Sequence, residues 1–263
     1  MCLKSYQGNR QNFIMILLTF LEGLIWSSLL IACSPAKIAI LQTREIHPKP
    51  SHTLWEQVLT TYVDAAGNVN YKELASESEA LLEYLDHMSD NPPTPSWTRA
   101  DSLAYYINLY NAATVKLIVE NYPVNSIKDI KNPWLKKRVQ IGDSKVSLAH
   151  IENKILRKMD EPRIHFAINC ASFSCPKLIN MAFTTDSIEE QLASVTKDFI
   201  ADPTRNRVSA EKLELSKIFQ WYKGDFKSSG GLRIFIKENS SIDIEEDAEI
   251  IFLKYDWSLN EAR

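Results

Sequence analysis

Apolar residues recur at helical spacing through the first half of the chain and predict three helices there. The first pattern begins just after Ser51 and runs to Tyr62, and the second predicts one helix from Tyr71 to Met88. The third, over 97–121, is apolar nearly all round, and Ser96 is expected to cap its start. A helix without a polar face is typical of the centre of a domain, so we expect this third helix to be central.

Shorter patterns in the second half alternate between strand and helix. The run over 163–169, RIHFAIN, is the strongest candidate for a buried strand. The other predicted elements are a hairpin over 139–141 and 145–147, helices over 148–159 and 187–199, a second hairpin over 207–210 and 212–215, short helices over 216–222 and 232–239, and a final strand over 249–255. This mixture predicts a single α+β domain in which the central apolar helix packs on a small, mostly antiparallel sheet.

An apolar run near the N-terminus predicts an export signal. Lys4 and Arg10 precede the run over 13–33, which ends in Leu30-Ile31-Ala32-Cys33. A positively charged region followed by an apolar one is typical of a signal peptide. The end of the run resembles a bacterial lipobox, and this resemblance implies transfer of diacylglycerol to Cys33 and cleavage before it. The alternative is an uncleaved membrane-spanning anchor, in which the charge of Glu22 would be costly.

The N-terminal apolar run and the proline-containing segment after it divide the chain into three parts. We predict a signal peptide over 1–32, a lipid-anchored tether over 33–50 that carries three prolines, and one domain over 51–263. A lipidated Cys33 carries enough acyl chain for stable anchoring, so a membrane is the first predicted partner. Both kinds of anchor place the domain outside the cytoplasm, in the bacterial cell envelope, and Ser34 is compatible with transport to the outer membrane.

Composition narrows the classes of function. The chain of 263 residues has 30 Lys and Arg against 33 Asp and Glu, a formal net charge of −3, which lacks the basic excess of a typical nucleic-acid binder. Its 7 glycines disfavour a glycine-rich phosphate-binding protein. With 4 cysteines it is not a disulfide-dense miniprotein. We also predict no cofactor and no metal. Cleavage before Cys33 leaves Cys170 and Cys175 as the unmodified thiols of the mature chain.

The segment from His165 to Pro176 is the densest candidate site. In the predicted strand, His165 and Asn169 lie on one face and Cys170 sits at the end, where a rigid element often presents a reactive group. A thiol acts as a nucleophile when a nearby imidazole or helix N-terminus lowers its pKa. Two other interpretations stay open, namely a disulfide between Cys170 and Cys175 and a pair of buried, inert thiols. The cysteine spacing does not favour a zinc site.

Four stretches together resemble a bacterial and plant family called domain of unknown function 547. They are 103–112 (LAYYINLYNA), 162–176, 215–222 with Asp225 and Phe226, and 255–260 (YDWSLN). Their order and spacing also match, and the resemblance covers about residues 54–260. The resemblance points to a family, but it does not point to a particular activity.

The resemblance also implies a polar centre. Asn108 and Asn111 would face the cysteine segment, where they either bond to the backbone of irregular loops or line a pocket with Cys170. In the family, the helix after the hairpin usually carries an adjacent Glu-His pair, whereas this chain has Glu152 and Asn153. A base would then come from His165 or from His150, one helical turn before Asn153, unless the site is inactive.

Two hypotheses for function follow. The first is an exported, lipid-anchored thiol enzyme for acyl transfer or amide hydrolysis, distantly like papain or transglutaminase folds. Cys170 would be its nucleophile, His165 or His150 its base, and Glu152 or Asn108 the group that orients the base. The second is a non-catalytic envelope module that binds a protein, peptide or glycan.

Overall fold

A long buried helix lies at the centre of the fold. The computed structural model describes residues 49–262, so the predicted signal peptide, Cys33 and nearly all of the tether lie outside the described residues. The central helix spans Arg99–Val119 and is buried on most of its circumference. Its cap is Thr98 instead of the predicted Ser96, because the Thr98 side chain and Asp101 form a reciprocal capping box.

The described residues contain nine α-helices and five short strands. The helices are α1 (Thr53–Tyr62), α2 (Tyr71–Ser76), α3 (Glu79–Asp90), α4 (Arg99–Val119), α5 (Leu148–His150), α6 (Ile164–Ala167), α7 (Ile188–Ala201), α8 (Lys217–Trp221) and α9 (Leu232–Asn239). The strands are β1 (Val139–Ile141), β2 (Ser144–Val146), β3 (Arg207–Val208), β4 (Lys212–Leu215) and β5 (Glu249–Phe252). Helix α5 continues into a π-helical turn, Ile151–Ile155, and a 3-10 turn, Leu156–Met159.

The sheets are small and mostly antiparallel, as predicted. Strands β1 and β2 form an antiparallel hairpin, with Val139 opposite Val146. In the three-stranded sheet, β4 pairs antiparallel with β3 and parallel with β5. The α+β class is therefore confirmed. The main neighbours of α4, however, are α2, α3, α7 and the helical segment that starts with α5. Within residues 49–262, no helix is both long and apolar enough to cross a bilayer.

The predicted helix from Tyr71 to Met88 is two helices in the structure. The chain leaves helical geometry at Glu77, whose ψ is +56°. The Glu77 carboxylate accepts a hydrogen bond from the Tyr62 hydroxyl at 2.9 Å. This tertiary contact ends α2 where helical periodicity alone would have continued it.

The predicted strand over 163–169 is wrong, because its centre is the helical turn α6. Residues 164–169 are all buried, so the run has no solvent-exposed face whose period would distinguish a strand from a helix. Pro162 sits at the start of the turn, where its fixed φ suits helical geometry, and its carbonyl accepts from the His165 N–H. His165 and Asn169 are therefore not related by strand alternation, and Cys170 follows a helical turn instead of a strand.

Candidate functional site

The loop that carries the cysteines is held by two buried amides. Asn111 of α4 accepts from the Asn169 N–H at 2.8 Å and donates to the Ala167 carbonyl at 3.0 Å. Asn169 donates in turn to the Pro176 carbonyl at 2.7 Å and accepts from the Ala171 N–H at 2.7 Å. These bonds satisfy backbone groups that regular structure leaves unpaired, so the position of the loop is set from α4.

Asn108 holds a neighbouring loop in the same manner. Its side chain donates to the Phe183 carbonyl at 2.7 Å and accepts from the Phe183 N–H at 3.0 Å. Asn108 is fully buried and does not line the pocket that contains Cys170. These contacts match the interpretation in which the Asn108 amide bonds to the backbone of a loop. Asn108 makes no hydrogen bond to His165, the candidate base.

The C-terminal segment clamps the cysteine loop from the other side. Phe173 and Ser174 donate backbone hydrogen bonds to the carbonyls of Ser258 and Asp256, at 2.7 and 3.1 Å. Asn260 donates to the Ala171 carbonyl at 3.3 Å. This pairing brings together the stretches over 162–176 and 255–260, which are far apart in the sequence.

The clamp places Tyr255 against the Cys170 sulfur. Cys170 Sγ lies 3.3 Å from the Tyr255 hydroxyl, 3.0 Å from Ser172 Oγ and 2.9 Å from Cys175 Sγ. Both cysteines are free thiols, since a disulfide would bring the sulfurs to about 2.05 Å. Cys170 is half-buried and Cys175 is buried.

The surroundings of the two thiols shift their pKa values in opposite directions. The hydrogen bond from Cys175 is the main reason that the pKa of Cys170 lies below its ordinary value, with Ser172 and Tyr255 adding to the effect and burial opposing it. Burial is the main reason that the pKa of Cys175 is raised. The Tyr255 pKa is raised strongly by burial and by both thiols, so its hydroxyl stays protonated as a donor. Of the pair, Cys170 is therefore the thiol that ionises first.

Cys170 opens into a pocket of about 300 Å³ with aromatic walls. The aromatic lining residues are Tyr110, Trp134, Trp221, Tyr222, Tyr255 and Trp257, and the polar ones are Glu152, Asn153, His165, Cys170 and Cys175. Trp221 packs on Tyr255 and on Trp257, with ring centroids 4.8 and 5.7 Å apart. Trp221 is 46% exposed, which marks it as part of the rim.

His165 lines this pocket but is not bonded to the thiol. Its Nε2 lies 2.8 Å from Asp225 Oδ2, so Nε2 carries the proton when the carboxylate is ionised and the ring is neutral. The imidazole stacks on the Tyr222 ring at a centroid distance of 3.8 Å. Nδ1 is buried and has no hydrogen-bond partner among the described residues, so it makes no hydrogen bond to Cys170 Sγ.

Asp225 connects His165 to the helical segment that follows α5. Its carboxylate accepts from Arg157 Nε and Nη2 at 2.6 and 2.7 Å, and Arg157 Nη1 donates to Asn153 Oδ1 at 2.7 Å. The Arg157 guanidinium, followed by His165, holds the pKa of Asp225 well below its usual range. Asn153 therefore occupies the pocket wall as part of a polar chain that ends at His165.

Glu152 lies beside Asn153 on the π-helical turn and is buried. One carboxylate oxygen, Oε1, accepts a hydrogen bond from the Tyr222 hydroxyl, and Oε2 has no partner among residues 49–262. Because Tyr222 stacks on His165, Glu152 contacts the imidazole only through the tyrosine. The group that bonds directly to the imidazole is Asp225.

The structure brings three of the five predicted catalytic residues to one pocket. Cys170, His165 and Glu152 line it, whereas Asn108 lies elsewhere. His150 is exposed and is not part of the lining, so the structure does not place it beside Cys170 as a base. The lipidation site, Cys33, lies outside the described residues.

Sequence reasoning missed the partners of the thiol and of the imidazole. Ser172, Asp225 and Tyr255 stand within the stretches that carry the family resemblance, which was the available signal. Their roles depend on contacts across 60 and 85 positions for the pairs His165–Asp225 and Cys170–Tyr255, which periodicity does not encode. Within the described part of the chain, no group of three His, Cys, Asp or Glu side chains is placed to hold a metal ion.

Comparison with known proteins gives one match. The family model described as "Protein of unknown function, DUF547" matches residues 94–200. This match supports the resemblance to that family over a range narrower than 54–260, one that includes α4 and both cysteines but ends before Tyr222, Asp225 and Tyr255. No curated protein and no solved structure is significantly similar to the chain.

Proposed function

We propose that this protein is a thiol-dependent acyl-transfer enzyme with Cys170 as its nucleophile. One observation carries the proposal: a free, half-buried thiol faces an aromatic-walled pocket and lies within hydrogen-bond distance of three polar groups. The groups within hydrogen-bond distance of the sulfur are Cys175, Ser172 and Tyr255. Hydrogen bonds to a thiolate favour its ionised form, which is the reactive form.

Activation without an imidazole is the distinguishing feature of this site. His165 Nδ1 is not bonded to Cys170, and Asn153 stands where the family usually has a histidine. Cys175 donates to the sulfur, and the hydroxyls of Ser172 and Tyr255, which lie 2.8 Å from each other, both contact it, so neutral groups take over the role of stabilising negative charge. The Tyr255 hydroxyl, which stays protonated, is also positioned beside the sulfur to donate to an oxyanion that forms there.

The absence of a bonded imidazole also favours one type of acyl donor. When a thiolate attacks an amide, the leaving nitrogen needs a proton from a general acid. A thioester or an activated ester releases a thiolate or an oxyanion that leaves without one. The site therefore fits acyl transfer from such donors better than amide hydrolysis.

The backbone at the thiol supports a functional role. Ala171, directly after Cys170, has φ of +57°, a left-handed conformation that is unfavourable for a residue with a Cβ. The Asn169 side chain holds this conformation by accepting from the Ala171 N–H. Such strained residues cluster at active sites, where the surrounding structure enforces them.

We further propose that the enzyme works in the bacterial cell envelope, lipid-anchored and facing the periplasm. The support is the charged and apolar pattern before Cys33, its lipobox-like ending, and the proline-containing tether over 33–50.

Acetylation by p-nitrophenyl acetate tests the proposed activity. We expect a burst of p-nitrophenolate as Cys170 attacks the carbonyl and the C–O bond breaks, followed by slow hydrolysis of the acetyl thioester. Mass mapping should find the acetyl group on Cys170, and p-nitroacetanilide, which carries the same acyl group on a poor leaving group, should give no burst. Cys170→Ala should remove both the burst and the adduct.

A control keeps loss of folding apart from loss of reaction. Cys170→Ala should leave the urea unfolding midpoint close to that of the wild type, because Cys170 is half-buried at the pocket wall. A Cys170→Ala protein that gives the wild-type burst would contradict the proposal. Failure of folded wild-type protein to become acetylated would also contradict it and would favour the non-catalytic binding module.

A further inference from the structure

The two cysteines lie close enough to react with each other. Cys175 Sγ donates a hydrogen bond to Cys170 Sγ at 2.9 Å, and the Cys170 N–H donates to Cys175 Sγ at 3.0 Å. A disulfide needs the sulfurs at about 2.05 Å, so closing the bond requires a relative movement of roughly 1 Å. The pair is thus preorganised for a disulfide while both thiols are reduced.

We propose that Cys170 and Cys175 form a thiol–disulfide exchange site whose co-reactant is an organic disulfide. The inference rests on the reactive Cys170 of the proposed function but does not depend on acyl transfer. Its basis is the difference between the two positions. Cys170 is half-buried and opens into the pocket, so it can meet an incoming disulfide, whereas Cys175 lines the same pocket but is only 4% exposed.

The exchange proceeds in two balanced steps. The Cys170 thiolate attacks one sulfur of the incoming disulfide, a new S–S bond forms, and the other sulfur leaves as a thiolate that takes up a proton. Cys175 then loses its proton and attacks Cys170 Sγ, which releases the second half of the co-reactant as a thiol. The two protein thiols are oxidised to one disulfide, and the co-reactant is reduced to two thiols.

The loop around the pair fits a buried resolving thiol. The Cys175 N–H donates to the Ser172 carbonyl at 3.0 Å, and Arg205 Nε donates to the Cys175 carbonyl at 3.1 Å. These bonds fix the backbone of Cys175, whose sulfur lies 2.9 Å from that of Cys170. Oxidation of the pair would also remove the nucleophile, so acyl transfer at this site would be sensitive to disulfides.

Glutathione disulfide tests the exchange. The wild-type protein should lose two hydrogen atoms in mass, with Cys170 and Cys175 joined, and should retain no glutathione. Cys175→Ser, and Cys175→Ala as a second variant, should instead trap a stable mixed disulfide between glutathione and Cys170. Cys170→Ser should give neither product.

The outcomes separate this inference from the proposed function. A wild-type protein that stops at the mixed disulfide would overturn the resolving role of Cys175. A protein that is acetylated by p-nitrophenyl acetate but left unchanged by glutathione disulfide would overturn the exchange site, and acyl transfer would stand. Closure of the Cys170–Cys175 disulfide without any acetylation would support the exchange site and overturn acyl transfer.

Discussion

Replacing Asn111 with leucine is expected to lower the free energy of unfolding by about 2 to 6 kcal/mol. The substitution leaves the Asn169 N–H and the Ala167 carbonyl buried without their partner, and each such group costs about 1 to 3 kcal/mol. Asn108→Leu should have an effect of the same size, because the N–H and the carbonyl of Phe183 would both lose their partner.

Thr114→Val on the same helix is the matched control for these amides. The Thr114 hydroxyl is equally buried but donates to the carbonyl of Tyr110 within its own helix. We expect this change to cost no more than about 1 kcal/mol, since no loop backbone loses a partner. Urea unfolding followed by tryptophan fluorescence measures all three variants. Equal losses for Asn111→Leu and Thr114→Val would show that the amide does not hold the cysteine loop.

Replacing Asp225 with asparagine is expected to destabilise the protein by about 2 to 4 kcal/mol at neutral pH. The carboxylate receives a two-point bond from Arg157 and a bond from His165. Removing one member of a buried charge pair costs about 3 to 5 kcal/mol, and partial exposure, 21% for Asp225 and 30% for Arg157, reduces that figure.

The Asp225 variant should also change how stability depends on pH. The folded pKa of Asp225 is depressed, so its contribution is fully present above the pKa of an unfolded aspartate, about 3.9, and is lost as the pH falls further. The difference between wild type and Asp225→Asn should therefore shrink between about pH 5 and pH 2. Asp243→Asn is the control, because Asp243 is 92% exposed where it pairs with Lys237 and should give little change at any pH. A pH-independent difference for Asp225→Asn would contradict this assignment.

The strongly periodic elements were predictable from the sequence. The helix over 99–119 was predictable from its length and its apolar circumference, and the hairpin at 139–146 from the turn residues Gly142-Asp143-Ser144. The buried run at 163–169 was misread, because a short apolar segment carries no period and Pro162 favoured a helical turn. The break between α2 and α3 at Glu77 was not predictable from the sequence either, because the Tyr62 hydroxyl that bonds to the Glu77 carboxylate comes from another helix.

The residues at the centre of the candidate site were predictable, but the hydrogen bonds that join them to the rest of the site were not. Cys170, His165 and Glu152 were found from residue type and from the family resemblance, and they do share a pocket. Tyr255 and Asp225, which hydrogen-bond to Cys170 and to His165, lie far along the chain, so sequence reasoning named Glu152 or Asn108 as the neighbour of the imidazole where the structure has Asp225. It also left open whether the two cysteines are bonded; the structure has them as free thiols 2.9 Å apart.

The pH dependence of Cys170 alkylation in the native protein tests the account most directly. Iodoacetamide followed by peptide mass mapping reports both thiols at once, and Cys175, buried and with a raised pKa, serves as the internal control. Because the pKa of Cys170 is lowered, its modification rate should reach half its maximum below the value of about 8.5 for an ordinary thiol, while Cys175 reacts only after unfolding. Protection of Cys170 until the protein unfolds, or a midpoint at or above that of an ordinary thiol, would contradict the account.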